Sequence, residues 1–195
     1  MGVAAGGRAT SVDAILAATR RVIAERGPER FTMSAVAAAA GVSRPTLYRW
    51  FPSKDDLLAA VTLYEEELYT TRLEAAVAAQ TGRARRLDAA LRCLVTYLDG
   101  LMGPDPIGAD PAFALQSLGA ALAPQSAAFA RIVGDALDAV PAVRLGHLAA
   151  EEAAELFLRV AYSHFLFPHP DPEALLANLR SLAGMSTRAI TSAAG

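Results

Sequence analysis

Cysteine is nearly absent from this chain. Cys93 stands alone in 195 residues, which excludes an intramolecular disulfide framework. It lies in an apolar helical pattern with Leu91, Leu94 and Val95, where a buried, inert thiol is the ordinary outcome. Metal ligands are as scarce. His164 and His169 flank Pro168 and so miss the i, i+4 spacing that sets two imidazoles on one helix face, and His147 adds no second pair, so no metal site is expected. Cys93 and His164 lack an orienting acid with a recognisable context, and neither a glycine-rich phosphate loop nor a G-x-S-x-G elbow occurs. Catalytic residues, a cofactor and an enzymatic activity are therefore not expected. Residues 1–11, MGVAAGGRATS, carry no apolar h-region, and Gly2 is followed by Gly rather than Ser or Thr at position 6, which removes secretion and myristoylation from the expectations.

Charge is sparse too, at 19% of residues against 53% apolar, and residues 111–130 hold none. Gln116, Ser117, Pro124, Gln125 and Ser126 interrupt that run, so two amphipathic segments meeting at Pro124 are expected, with no membrane partner and a cytoplasmic protein. Much of the apolar content is alanine, which favours helix without supplying core volume. The net charge of −2 divides unevenly. Residues 1–63 hold eight basic side chains against Asp13, Glu25, Glu29, Asp55 and Asp56, a balance of +3, and the remainder stands at −5. That asymmetry points to the N-terminal part as the face that meets phosphate.

The most informative stretch is FTMSAVAAAAGVSRPTLYRWFPSKDDLL, residues 31–58. Thr32 can cap a short alanine-rich helix over 34–40, and Gly41 ends it by taking the left-handed conformation. Ser43 can cap a second helix over 44–50, with Pro45 in the first turn, where its missing N–H costs nothing. This is the spacing of a helix-turn-helix. On the second helix Leu47 and Phe51 share one face while Arg44, Thr46, Tyr48 and Arg49 project elsewhere. A guanidinium at the start of such a helix can bond guanine O6 and N7 together in a major groove. After Pro52, Ser53 and Asp56 form an S-x-x-D capping box, and Lys54 sits at the new helix start, where it can meet a phosphate.

The ordered set GVSRPTLYRWFPSKDDLL resembles the TetR family of transcriptional regulators, over roughly residues 14–63: a turn glycine, T-L-Y, an aromatic pair, then S-K before an acidic residue and leucines. Trp50 stands where that family more often has tyrosine or histidine, and Ala35 where a glutamate often closes the first capping box. The resemblance implies DNA-facing roles for Thr32, Arg44, Pro45, Thr46, Tyr48, Arg49, Trp50 and Lys54. It also implies a homodimer on double-stranded operator DNA, made through the last two helices, and a small-molecule effector.

Around this motif the pattern is helical throughout. Residues 1–9 read as an arm, and a helix capped at Ser11 carries Val12, Ile15, Leu16, Val22 and Ile23 to complete a three-helix head. Apolar spacing runs from Lys54 to about Gln80, then from the basic trio Arg83, Arg85 and Arg86 to about Gly100. The segment 102–111 breaks the pattern with three prolines and two glycines. Helices are expected over 125–139, 146–167 and 172–185, the last capped by Asp171 and carrying Leu175, Leu176, Leu179 and Leu182. Leu98, Met102, Phe113, Phe129 and Phe165 are candidates for lining a ligand cavity, although such residues are more often plain core.

The expectation is an all-α chain with a helix-turn-helix DNA-binding domain at 1–55 and a larger helical ligand-binding and dimerisation body at 56–195. Its function would be that of a repressor released from a palindromic operator by a small, largely apolar ligand. A TetR-like activator, or a helical ligand-binding or scaffold protein whose head no longer binds DNA, are the alternatives.

Overall fold

The computed structural model describes residues 6–27, 30–101, 111–167 and 171–185, without the side chains of residues 6–11, 101, 113, 165 and 172. Every regular element among them is helical: α1 (Gly6–Arg26), α2 (Met33–Ala40), α3 (Arg44–Trp50), α4 (Lys54–Ala78), α5 (Arg83–Leu101), α6 (Pro111–Val133), a 3-10 segment (Gly134–Ala139), α7 (Pro141–Arg144), α8 (Ala150–Leu166) and α9 (Pro172–Leu182). Two compact units divide inside α4, between Leu68 and Tyr69, with the start of α6 grouped with the first.

In the first unit, the head, Ile15, Leu16 and Val22 of α1 meet Phe31, Met33, Val36, Leu47, Phe51, Leu57 and Val61 in one apolar core. Leu57 and Val61 belong to α4, so four helices rather than three contribute to it. Residues 6–9 of the expected arm are helical, because α1 begins at Gly6 and not after Ser11. Glycine in a helix costs only about 1 kcal/mol relative to alanine, which a docked helix can absorb.

The second unit, the body, is centred on α5. Leu87, Leu91, Leu94 and Leu98, at helical spacing, have essentially no exposed surface. They share a core with Tyr69, Leu73 and Val77 of α4, Phe129 and Val133 of α6, Phe157 and Leu158 of α8, and Leu175, Leu176 and Leu179 of α9. Polar clamps fasten it. Asp88 accepts from Arg180 at 2.6 Å, tying α5 to α9. Arg83 and Arg86 reach Asp135 at 3.2 and 2.7 Å, so two of the basic trio link α5 to the 3-10 segment at the solvated surface.

Three expectations are corrected. Pro124 does not divide two helices but lies inside α6. Pro124 has no N–H to offer the carbonyl of Ala120, and both positions are exposed, so water can satisfy that oxygen. Gly134, at φ +54, changes the course instead, and the chain tightens into the 3-10 segment where an α-helix was expected to run on to Ala139. The helix expected from Gly146 starts at Ala150. His147 and Leu148 donate back to Ala142 O at 2.8 and 3.2 Å, closing α7, and Ala149 N donates to Glu152 Oε2 at 2.8 Å to open α8. Among the described residues no helix is long and apolar enough to cross a membrane.

Candidate nucleic-acid interface

Each helix of the motif is started by a side chain, which fixes its direction within one turn. Ala35 N donates to Thr32 Oγ1 at 3.2 Å, so α2 keeps its cap with alanine in place of the usual glutamate. Gly41 follows at φ +67, and its Cβ-free position turns the chain. Thr46 N donates to Ser43 Oγ at 3.2 Å, and the two hydroxyls lie 2.8 Å apart. At α4 the box is reciprocal: Asp56 N donates to Ser53 Oγ at 3.0 Å, while Ser53 N donates to Asp56 Oδ2 at 3.1 Å. Caps of this kind each stabilise a helix by about 1 kcal/mol.

α3 is held from behind. Leu47 is wholly buried and Phe51 nearly so, which leaves Arg44, Pro45, Tyr48 and Arg49 exposed on the outer side, with Thr46 and Trp50 half-buried at its margins. Tyr48 retains 41% of its surface. Lys54 extends its Nζ over the Phe31 ring, 4.5 Å from the centroid, a cation–π contact that holds the ammonium at the junction of the α2 and α4 starts. Thr32, whose hydroxyl is already engaged as a cap, is exposed there as well. The eight residues singled out in the sequence are thus gathered on α3 and on the entrances to α2 and α4.

One pair escaped the sequence reading. Arg20 of α1 and Glu65 of α4 face one another at 2.8 Å, both largely buried, and brace the two longest helices of the head. Nothing local in the sequence marks residues so far apart as partners. In the body, Leu98 and Phe129 are core residues with almost no exposure. Met102 lies outside the described residues, as do the side chains of Phe113 and Phe165. A shallow groove of about 670 Å³ is lined by Glu74, Val77, Gln80, Arg86, Arg131 and Ile132, and includes none of these five. Burial pushes the Cys93 thiol above its ordinary pKa, against any reactive role.

Residues 15–61 match the family model described as bacterial regulatory proteins, tetR family. The nucleoid occlusion factor SlmA of Haemophilus influenzae is 33% identical over 73 residues, 37% of this chain and 34% of that protein, so the match spans about a third of the relative's length. Among solved structures, AibR in complex with isovaleryl coenzyme A and operator DNA is similar over 90% of this chain and 100% of its own, with a TM-score of 0.58 at 20% identity. The regulator FadR of Bacillus subtilis in complex with stearoyl-CoA is similar over 88% and 95%, also at 0.58, with 18% identity. At such identities the likeness is one of fold. The head of this chain, over residues 15–61, is that of the bacterial regulatory proteins of the tetR family.

Proposed function

We propose that the chain is a one-component transcription factor, a repressor that binds a palindromic operator as a homodimer and leaves it when a small, largely apolar ligand fills the body. The observation that carries this reading is the outward face of α3: Arg44, Pro45, Tyr48 and Arg49 exposed on a helix pinned from behind by Leu47. Arg44 and Arg49 are offered to base edges, Tyr48 and Thr46 to either bases or backbone, and Thr32, Trp50 and Lys54 to phosphates. Residues 1–55 take the DNA role and 56–195 the ligand and dimer roles. No catalytic step is assigned to the chain, and it acts where operator DNA is, in the cytoplasm.

Two further points support the reading. Leu156 on α8 and Leu182 on α9 stay 46% and 56% exposed although both helices are otherwise docked, so each helix keeps an apolar side chain for a second copy. The AibR and FadR complexes named above hold acyl thioesters, which fits a body that takes an apolar molecule. The candidates Leu98, Met102, Phe113, Phe129 and Phe165 would line its site. A ligand acts only by its preference for the state that does not bind DNA.

A mobility-shift titration on DNA flanking the protein's own gene tests the reading. Binding there should exceed binding to unrelated DNA of the same length by at least about 10³-fold. Equal affinity for both would sink it, and would favour the ligand-binding or scaffold alternative.

A further inference from the structure

The core of the body contains a polar centre that packing does not explain. Tyr69 is wholly buried, among Leu73, Leu94, Leu98 and Phe129, with its ring centroid 4.9 Å from that of Tyr97, yet its hydroxyl has no hydrogen-bond partner. Ser126 on α6 is 7% exposed, and its hydroxyl is likewise without a partner. Gln125, next to Ser126 in sequence, accepts from the Tyr162 hydroxyl at 2.7 Å, and Tyr162 belongs to the same buried cluster as Tyr69. A buried hydroxyl without a partner destabilises the fold, and phenylalanine or alanine would fill the same space without that cost. Tyr69 and Ser126, supplied by α4 and α6, are thus two hydroxyls that the body buries without satisfying, as a site that takes its partner from a ligand would.

The surroundings define what that ligand can be. No Asp, Glu, Lys or Arg is buried among the described residues, and the part-buried Asp88 and Arg180 already hold one another. An anion entering this core would go without a counter-charge, at a severe desolvation penalty. A neutral molecule would meet two free O–H donors and otherwise apolar walls. Resting on the reading of the body as an effector domain, we infer that Tyr69 and Ser126 are the recognising groups of its ligand site, and that the ligand is an uncharged, largely apolar molecule presenting a carbonyl-type acceptor to them.

The test uses the full chain and two matched pairs of probes, 2-octanone with octanoate and 2-decanone with decanoate, read by the thermal midpoint and by titration. The ketones should raise the midpoint while the carboxylates do so weakly or not at all. Tyr69→Phe should raise the ligand-free midpoint by about 2–4 °C, because it removes an unsatisfied hydroxyl. It should also weaken ketone binding about tenfold, the worth of one hydrogen bond. Ser126→Ala should follow the same two trends. Carboxylates binding as tightly as ketones, no binding of either class, undiminished ketone binding by both variants, or a lowered midpoint in Tyr69→Phe would each overturn the inference. The DNA titration separates the two claims. Ketone binding by a protein that ignores DNA would end the regulator reading and leave this site standing, whereas selective DNA binding without ketone binding would do the reverse.

Discussion

Head and body keep their polar groups in opposite places. In the head, hydroxyls serve the backbone at the surface, as at Thr32, Ser43 and Ser53, or are satisfied where buried, as where Thr19 donates to Ile15 O at 2.7 Å. The outward face of α3 is left to present guanidinium and phenol to a partner. In the body, hydroxyls without partners lie inside the core, at Tyr69 and Ser126, while charges clamp the helices from the margin. A protein that reads a large polyanion needs polar groups outside a rigid frame. One that encloses a small molecule needs them inside, and must tolerate the loss of stability until the ligand arrives.

The largest expected effect breaks this comparison at α9. Leu179 is wholly buried in the body's own core, so the apolar face of α9 is mostly used within one copy, a choice that the sequence pattern left open and only the family resemblance tilted toward a dimer. Leu179→Asp should cost more than about 4 kcal/mol and abolish the cooperative melt of the body, because an unpaired carboxylate enters an apolar core. Leu182→Asp, at a position 56% exposed, should leave the helical signal and melting of the monomer intact while shifting sedimentation toward the monomer. If both variants melt normally, the α5–α9 packing described above is wrong.

Next in size is the clamp between α5 and α9. Burial alone would raise the Asp88 carboxyl, but hydrogen bonds from Arg180 and Arg92 outweigh it and hold the group below the ordinary carboxylate range. A carboxyl lowered on folding adds stability that is fully present above its unfolded pKa and lost as the pH falls through the folded one. Asp88→Asn should therefore cost about 1.5–3 kcal/mol near neutrality, with the gap to wild type closing as both are melted at progressively more acid pH. A gap independent of pH would assign Asp88 a packing role only.

The two regions also differ in what their sequence discloses. Helix starts in the head are written in single residues a turn apart, so Thr32, Gly41, Ser43 and Ser53 could be placed before any tertiary contact was known. Partners distant in sequence leave no such mark. Arg20 with Glu65 and Asp88 with Arg180 had no local signature, and periodicity showed that α9 has an apolar face without showing what covers it. Pro124 misled because the penalty for proline in a helix depends on whether the orphaned carbonyl meets water, which is a tertiary fact. Tyr69 was within reach. It precedes Leu73 and Val77 at four-residue steps, so a polar group on the buried stripe of α4 was legible, though its lack of a partner was not.

On the head, the comparison sharpens at Arg44. As an exposed side chain at the first position of α3, it takes no part in the head's apolar core, and its removal should leave the melting of the protein unchanged. Arg44→Ala should reduce discrimination between the operator and a single-base variant by about 1–3 kcal/mol, measured by competition at fixed salt. Equal weakening on every sequence would move Arg44 from base reading to the backbone.

The smallest effect is expected at Lys54, where structure and binding overlap. Its ammonium rests over Phe31, so truncation would remove a cation–π contact as well as a charge. Lys54→Met keeps the aliphatic stem against the ring and deletes only the charge. A phosphate contact at this position predicts uniform weakening on all DNA sequences, and a dependence of log K on log salt that is shallower by about 0.9, the share of one neutralised phosphate. Asp55 and Asp56, in the same first turn, set a limit on that gain, since their carboxylates also answer the positive end of α4. An unchanged salt slope would mean that Lys54 serves the junction of α2 and α4 alone, and that α3 carries the electrostatics of binding through Arg44 and Arg49.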